Sequence, residues 1–171
     1  MQLTIFEKNA EILRELNEAI KVSVVNRHLD REHHEIWVDA CRRFNASFDR
    51  LSFPGGMARQ LELLKDGDSE AVEMAIRYLE ANPWCFRSGY VKEELLEDLK
   101  KVELTDEQQE RLRDVIMQRI EHGSGREFRR YCQLARKLIN EDFLFRVRQA
   151  MDSEVADVSR RAGWVMSTLE S

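Results

Sequence analysis

The sequence predicts an all-α protein, and two observations support this. Apolar residues recur at spacings of three and four along nearly every segment, whereas strict alternation over five or more residues is almost absent. Seven glycines and two prolines are few for a protein built from β-hairpins. The chain of 171 residues is long enough to bury a core without disulfides or metal. We therefore predict a single domain over residues 1–171 with eight or nine helices.

An N-terminal helical pair is predicted for residues 1–53. The first helix extends from about Leu3 to Val24. Its apolar side carries Phe6, Ala10, Leu13, Leu16, Ile20 and Val24. The apolar side of the second helix carries Trp37, Ala40, Cys41, Phe44, Phe48 and Leu51. This helix ends at the breaker Phe53-Pro54-Gly55-Gly56.

The spacing in the first helix allows two ways of covering its apolar side. Phe6, Leu13 and Ile20 repeat every seven residues, which is typical of a seam between two copies of a helix. The same residues are suited to pack against the second helix. We favour packing within the chain because the heptad pattern is short. The sequence is compatible with a monomer and with a homodimer.

Beyond Pro54 the predicted helices are shorter and occur in pairs. The pairs are 57–65 with 69–81, 88–101 with 106–121, and 126–139 with 153–169, and a short helix lies near 143–151. Asp68 is the predicted N-cap of the helix that follows it. Thr105 and Gln108 form a predicted capping box. We expect antiparallel helical hairpins over residues 54–171.

Two of these helices open with similar segments. They are Asp68-Ser69-Glu70-Ala71-Val72, which leads to Ala75 and Leu79, and Asp152-Ser153-Glu154-Val155, which leads to Val158, Ala162 and Val165. In the opening Asp and the following step of Val and Ala, both segments resemble the second helix of HEAT-type repeats, and the resemblance covers about residues 57–169. The resemblance implies an irregular α-α superhelix of the HEAT or armadillo kind. Repeats of that class bind other macromolecules along a concave face.

The cysteines and the chain start bear on where the protein resides. Cys41, Cys85 and Cys132 are odd in number, far apart and flanked by apolar residues, which favours buried thiols in a reducing compartment. Residues 1–8 lack the basic segment of a signal peptide, and the longest apolar run, at 162–166, is far too short to span a bilayer. We expect a soluble, cytoplasmic protein without a membrane partner.

The turn at residues 82–90 is the strongest candidate site. It contains Trp84, Phe86, Arg87 and Tyr90. Trp, Tyr and Arg dominate the energetics of protein interfaces, so these residues are predicted to bind another protein. The alternative is that Trp84 and Phe86 fill the gap between hairpins, as large aromatic side chains often do, while Ser88 caps the next helix.

A second candidate site is the basic side of the helix predicted at 126–139. The basic residues are Arg126, Arg129, Arg130 and Lys137. The apolar side of the same helix carries Phe128, Tyr131, Cys132, Ala135, Leu138 and Ile139. Such a basic side can follow the phosphate backbone of a nucleic acid. The alternative is a solvated side whose cations pair with acidic helices, and the net charge of −5 favours it.

Charge is unevenly distributed along the chain. Residues 60–110 carry 14 acidic and 6 basic side chains, whereas residues 111–161 carry 12 basic and 8 acidic ones. The chain is therefore acidic in its middle and mildly basic towards its end. This distribution leaves nucleic acid possible as a partner of the basic part, although the protein as a whole repels it.

No motif indicates catalysis, a metal or a cofactor. His28, His33 and His34 form the densest histidine cluster, but their spacing matches no metal motif, and Asp30 is better interpreted as the N-cap of the second helix. No glycine-rich loop follows a predicted strand. We therefore predict a non-enzymatic protein-binding module, such as an adaptor, scaffold or immunity-type protein. A nucleic-acid-binding protein is the alternative, and an unrecognised enzyme is a lesser one.

Overall fold

The computed structural model describes residues 3–123 and 125–170, and it confirms the all-α fold class. Within these residues every regular element is a helix. The α-helices are α1 (Ile5–Asn26), α2 (Arg31–Ser52), α3 (Met57–Lys65), α4 (Ser69–Ala81), α5 (Ser88–Leu99), α6 (Asp106–His122), α7 (Phe128–Ala135), α8 (Glu141–Met151) and α9 (Ala156–Glu170). A short 3₁₀ helix, Arg136–Leu138, follows α7 directly. None of the helices within the described ranges combines the length and the apolar character that crossing a bilayer requires.

Three predicted helix starts are confirmed by capping contacts, whereas the start predicted at Asp152-Ser153 is wrong, because Asp152 is the C-cap of α8 and α9 begins at Ala156. Asp30 Oδ1 accepts a hydrogen bond from the backbone N–H of His33 at 2.9 Å, and Asp68 Oδ1 accepts one from Ala71 at 2.9 Å. Thr105 and Gln108 form the reciprocal capping box at the start of α6. These contacts are local, because each joins residues three positions apart and satisfies an N–H group that the first helical turn leaves unpaired.

The helix predicted at 126–139 is shorter than expected. Regular α-helix begins at Phe128 and changes to the 3₁₀ helix after Ala135. The chain then turns at Ile139, whose backbone is extended, because Asn140 caps α8 by accepting a hydrogen bond from Phe143 N–H at 2.7 Å. Ile139 is consequently exposed, although the pattern placed it on the apolar side. The remaining residues predicted on that side are buried: Phe128, Tyr131, Cys132, Ala135 and Leu138.

The chain forms two compact units, and the first comprises Met1–Glu62 and Ala81–Ser88. Here α1 packs on α2, which confirms the prediction of packing within the chain. The core of this unit consists of Ala10, Leu13, Phe44 and Cys85, with Leu16, Ile20, Phe48 and Leu51 partly buried against it. The unit therefore extends beyond the predicted pair of residues 1–53, because Cys85 from the segment after α4 completes its core.

The second unit comprises Leu63–Glu80 and Gly89–Ser171. In this unit α6 contacts α7, α8 and α9, and its apolar residues Leu112, Ile116 and Ile120 are fully buried. Buried cations hold helix ends: Arg161 Nε donates to the backbone carbonyl of Ile120 at 2.6 Å, near the end of α6. Such contacts satisfy carbonyls that the last helical turn leaves unpaired. The single domain and the HEAT-like superhelix stay predictions.

Candidate functional site

The candidate site in the first unit is the loop between α4 and α5. Two residues of the loop have a positive φ, Asn82 at 44° and Arg87 at 70°. Asn82 directly follows α4 and ends it in the left-handed conformation that is common at helix C-termini. Between these two residues the side chains alternate, since Pro83 and Cys85 are buried while Trp84 and Phe86 are exposed. The backbone thus turns its apolar anchors inward and presents the two aromatic rings to solvent.

The loop is fixed to the first unit by specific contacts. Arg14 Nη1, from α1, donates a hydrogen bond to the backbone carbonyl of Trp84 at 2.7 Å. The backbone N–H of Cys85 donates to Ser88 Oγ at 3.2 Å, and the Cys85 side chain lies in the core beside Leu13 and Phe44. The Ser88 hydroxyl therefore closes the loop. A loop held at successive residues keeps its exposed side chains in a defined arrangement.

The aromatic side chains of this loop are more exposed than gap-filling residues. Trp84 is 73% exposed and Phe86 is 52% exposed. Within the first unit, therefore, the Trp84 side chain does not fill a gap between helices. The inner part of Phe86 contacts Phe44, with ring centroids 5.6 Å apart. Because Trp84 has so little protein around it, its indole is available to a binding partner.

Arg87 adds a charge to this surface. Its guanidinium lies 5.5 Å from the centroid of the Phe86 ring and 5.7 Å from that of Phe48, distances typical of cation–π contacts. A small cleft of about 210 Å³ adjoins Trp84 and is lined in part by Leu3 and Glu7. We call Trp84, Phe86 and Arg87 the aromatic loop surface. It offers apolar area, one cation and an adjoining hollow.

Tyr90, the fourth residue of the predicted protein-binding site, belongs to the second unit. It lies in the first turns of α5 and is 52% exposed. The guanidinium of Arg126 lies 3.7 Å from the centroid of its ring. Arg126 Nε also donates to Glu93 Oε1 at 3.1 Å, and this hydrogen bond is the main cause of the raised pKa of Arg126. One face of Tyr90 is thus already covered by an arginine of its own unit.

The predicted basic side is largely engaged within the second unit. Besides the pairing of Arg126 with Glu93, Arg130 Nη1 donates to Glu97 Oε2 at 3.0 Å. Both carboxylates belong to α5. These two arginines therefore pair with an acidic helix, as expected if the basic side is a solvated surface and not a nucleic-acid site. Arg129 is exposed, and in the part of the chain that the structure describes it makes no hydrogen bond or ion pair.

Lys137 is partly buried, and its ammonium group contacts the end of α5. Its Nζ donates to the backbone carbonyls of Leu99 at 3.3 Å and Lys100 at 3.2 Å, and also to that of Val102. Burial lowers the pKa of Lys137. A cation at the C-terminal end of a helix is favourable because the unpaired carbonyls carry negative partial charge. The ammonium group of Lys137 is therefore engaged with backbone carbonyls of its own unit and is not free to bind a phosphate.

One residue of the histidine cluster, His33, takes part in capping the second helix. Asp30 lies at the start of α2, and His33 Nδ1 lies 2.8 Å from its Oδ1. Hydrogen bonds from the backbone and the side chain of His33 lower the pKa of Asp30. In residues 3–123 and 125–170, no three side chains of the metal-binding types are arranged to hold a metal ion.

Reasoning from the sequence missed the outer side of the α1–α2 pair. Between the two helices a groove is open to solvent, with Ile12, Ala19 and Ile36 among the residues that line it. The signal was present in the sequence, since Ile12, Ala19 and Val22 follow a helical spacing of their own beside the predicted apolar stripe. The helical pair consequently has two apolar sides, and the core of the unit covers one of them.

Comparison of the chain with protein-family models, with curated proteins and with solved structures gives no match in any of the three. Function is therefore argued from the geometry of the two units. The aromatic loop surface has the composition and exposure of a recognition surface, and the basic side has most of its charge engaged.

Proposed function

We propose that the protein is a non-enzymatic protein-binding module and that the aromatic loop surface is its recognition site. The observation that carries the proposal is the 73% exposure of Trp84 on a loop that Arg14 and Cys85 fix to the first unit. Exposed apolar side chains are informative where several occur together, and on this loop Phe86 is 52% exposed beside Trp84.

Physical chemistry favours this surface as a binding site. Trp and Arg are the residues most enriched among those that dominate interface energetics. Covering the exposed parts of Trp84 and Phe86 would contribute about 3 kcal/mol, on the usual scale for burying large apolar side chains. The loop is already ordered before binding, so a partner does not have to pay the entropy of fixing it. The adjoining cleft beside Leu3 and Glu7 suits a small side chain of the partner.

The class of function that we propose is that of an adaptor, scaffold or immunity-type protein. The resemblance of residues 57–169 to HEAT-type helices supports this class, because such repeats bind macromolecules. A cytoplasmic location is part of the proposal. It is supported by three free cysteines, Cys41, Cys85 and Cys132, of which the last two are buried thiols that suit a reducing compartment.

Nucleic-acid binding through Arg126, Arg129, Arg130 and Lys137 is less well supported. Arg126 and Arg130 pair with carboxylates of α5, and Lys137 holds the end of that helix. A phosphate backbone would have to displace these contacts. Of these four cations, Arg129 is the one that makes no ion pair within the residues that the structure describes, and one side chain supplies little of the counterion release on which such binding depends.

The proposal is tested by capture of partners from a lysate of the source organism with the tagged full chain. Captured material is analysed by mass spectrometry and by nucleic-acid staining, with and without nuclease. Trp84→Ala is compared with Trp164→Ala, because Trp164 is an exposed tryptophan on α9 in the second unit. We expect one protein that survives nuclease, is retained by Trp164→Ala and is lost with Trp84→Ala.

Other results would overturn the proposal. A captured protein that Trp84→Ala retains would move the recognition site elsewhere. Material that nuclease removes, and that falls steeply between about 50 and about 200 mM salt, would favour the basic side around Arg129. An empty capture under both conditions would favour an enzyme that acts on a small molecule.

A further inference from the structure

The outer side of the α1–α2 pair carries a long apolar groove. Two adjoining hollows of about 620 and about 630 Å³ share Glu15, Ala19 and Ile36, and together they extend from Ile12 to Asn26 along α1. At 1.5 Å per residue this length corresponds to about 21 Å, or about four helical turns. The groove therefore has the length of a short α-helix.

The floor of the groove is apolar and uncovered. Ile12 is 44% exposed, Val22 is 66% exposed and Ile36 is 53% exposed, while Leu16 and Ala40 lie deeper between the helices. Two antiparallel helices with such a stripe present the surface on which a third helix packs in helical bundles, its ridges lying in the groove between them.

The rim of the groove is rich in carboxylates. They are Glu15, Glu18, Glu32, Glu35 and Asp39. Glu18, Glu35 and Asp39 form ion pairs with Lys21, Arg31, Arg42 and Arg43, so five carboxylates face four cations. Glu15 and Glu32 make no ion pair in the part of the chain that the structure describes. The pairs on the rim, such as Arg31 with Glu35 at 2.7 Å, are exposed and so add little stability.

We propose that this acidic groove binds one basic, amphipathic α-helix of another protein. The apolar side of that helix would cover Ile12, Val22 and Ile36, and lysines or arginines on both flanks would face the carboxylates of the rim. A second copy of the chain is a poor occupant, because two such grooves would bring like charges together. This surface lies apart from the aromatic loop surface, and the inference stands whether or not that surface binds a protein.

The test uses the full chain and two synthetic helical peptides of about eighteen residues, long enough to form a helix on binding. Both peptides have leucines along one side. The first carries lysines on both flanks, and the second carries glutamates at the same positions. Fluorescence anisotropy gives their dissociation constants. We expect the basic peptide to bind at micromolar concentration and at least about tenfold more tightly than the acidic one, with an affinity that falls as salt is added.

Variants locate the binding. Ile36→Asn replaces an exposed side chain, so the protein folds and loses most of its affinity for the basic peptide. Glu15→Gln with Glu32→Gln reduces that affinity at least about threefold and weakens its salt dependence. Trp84→Ala leaves both unchanged, which separates this groove from the aromatic loop surface.

Three results would overturn the inference. The first is no binding of the basic peptide, and the second is equal binding of the two peptides. The third is binding that Ile36→Asn does not alter. If the peptides fail to bind while the chain forms dimers that Ile36→Asn dissociates, the groove is a contact between two copies.

Discussion

The guanidinium of Arg14 donates a hydrogen bond of 2.7 Å to the backbone carbonyl of Trp84. Seventy positions separate the two residues in the sequence. The contact holds the backbone of Trp84 while its indole remains exposed, so a residue of α1 determines how a tryptophan after α4 is presented. Fixing the backbone reduces the entropy that a binding partner would otherwise have to overcome.

Arg14→Met is expected to loosen the loop without unfolding the first unit. The substitution keeps the length of the side chain and removes the donor, and Arg14 is partly exposed, so the free energy of unfolding falls by only about 1 kcal/mol. Hydrogen exchange at the amides of Cys85 and Ser88 is expected to accelerate. Lys21→Met, also on α1, is the control and should leave those amides unchanged. Equal exchange in both variants would show that Arg14 does not hold the loop.

Asn82 is expected to tolerate glycine better than alanine. Its φ of 44° lies in the left-handed region, which costs a residue with a Cβ atom about 1 kcal/mol relative to glycine. Urea unfolding should therefore give a lower free energy of unfolding for Asn82→Ala than for Asn82→Gly.

The control for Asn82 reverses the order. Asn45 is exposed in the middle of α2, where glycine is worse than alanine by about 1 kcal/mol. Asn45→Gly should therefore be less stable than Asn45→Ala. The same order at both positions would mean that the backbone at Asn82 is not left-handed in solution.

Lys137→Met is expected to destabilise the second unit. Its Nζ is the donor to three carbonyls at the end of α5, and losing hydrogen bonds from a charged group costs about 2 kcal/mol. Arg129→Met is the matched control, because Arg129 makes no contact of this kind in the described residues, and should be neutral. Denaturant unfolding compares them. Equal stability of the two variants would place Lys137 in solvent.

Cys132 is expected to make stability fall at alkaline pH. Burial raises the pKa of its thiol from 9.0 to about 11. Above pH 9 the unfolded chain therefore releases a proton that the folded chain retains, so stability is lost as the pH rises to about 11. Over this range the wild type should lose about 2 kcal/mol more than Cys132→Ala, on the relation of 1.36 kcal/mol per pKa unit.

The Cys132 measurement has an internal control. Burial also raises the pKa of Tyr131, but this effect is common to both proteins and cancels in their difference. Cys41→Ala retains Cys132 and should follow the wild type. If the wild type and Cys132→Ala show parallel pH profiles, the thiol is accessible to water.

The helices were predictable because their signals are local. The cap at Asp30 and the capping box of Thr105 and Gln108 join residues three positions apart, so the sequence contains both partners of each contact. The packing of α1 on α2 followed from two apolar stripes of matching length. The end of α7 was harder to predict. The apolar spacing of the sequence continues to Ile139, but Asn140 is the N-cap of α8 and the chain leaves the helix before it.

The candidate sites were less predictable because distant contacts determine them. A helical wheel places Lys137 on the side of Arg129, but the carbonyls that Lys137 contacts lie at the end of α5 and directly after it, more than thirty positions earlier. The exposure of Trp84 depends on Arg14 and on Cys85 entering a core formed by α1 and α2. The outer groove was not predicted, because Ile12 and Val22 lie outside the apolar stripe of the first helix and the sequence does not show which side of a helix its neighbours cover.

The central claim is that Trp84 serves binding and contributes little to folding. The most direct measurement determines, for the wild type, Trp84→Ala and Trp164→Ala, both the free energy of unfolding in urea and the affinity for the captured partner. We predict that Trp84→Ala unfolds within about 0.5 kcal/mol of the wild type, as exposed substitutions usually do, and loses the partner, while Trp164→Ala keeps it. A Trp84→Ala protein that binds the partner as the wild type does, or that is destabilised by about 3 kcal/mol as a core truncation would be, would contradict the claim.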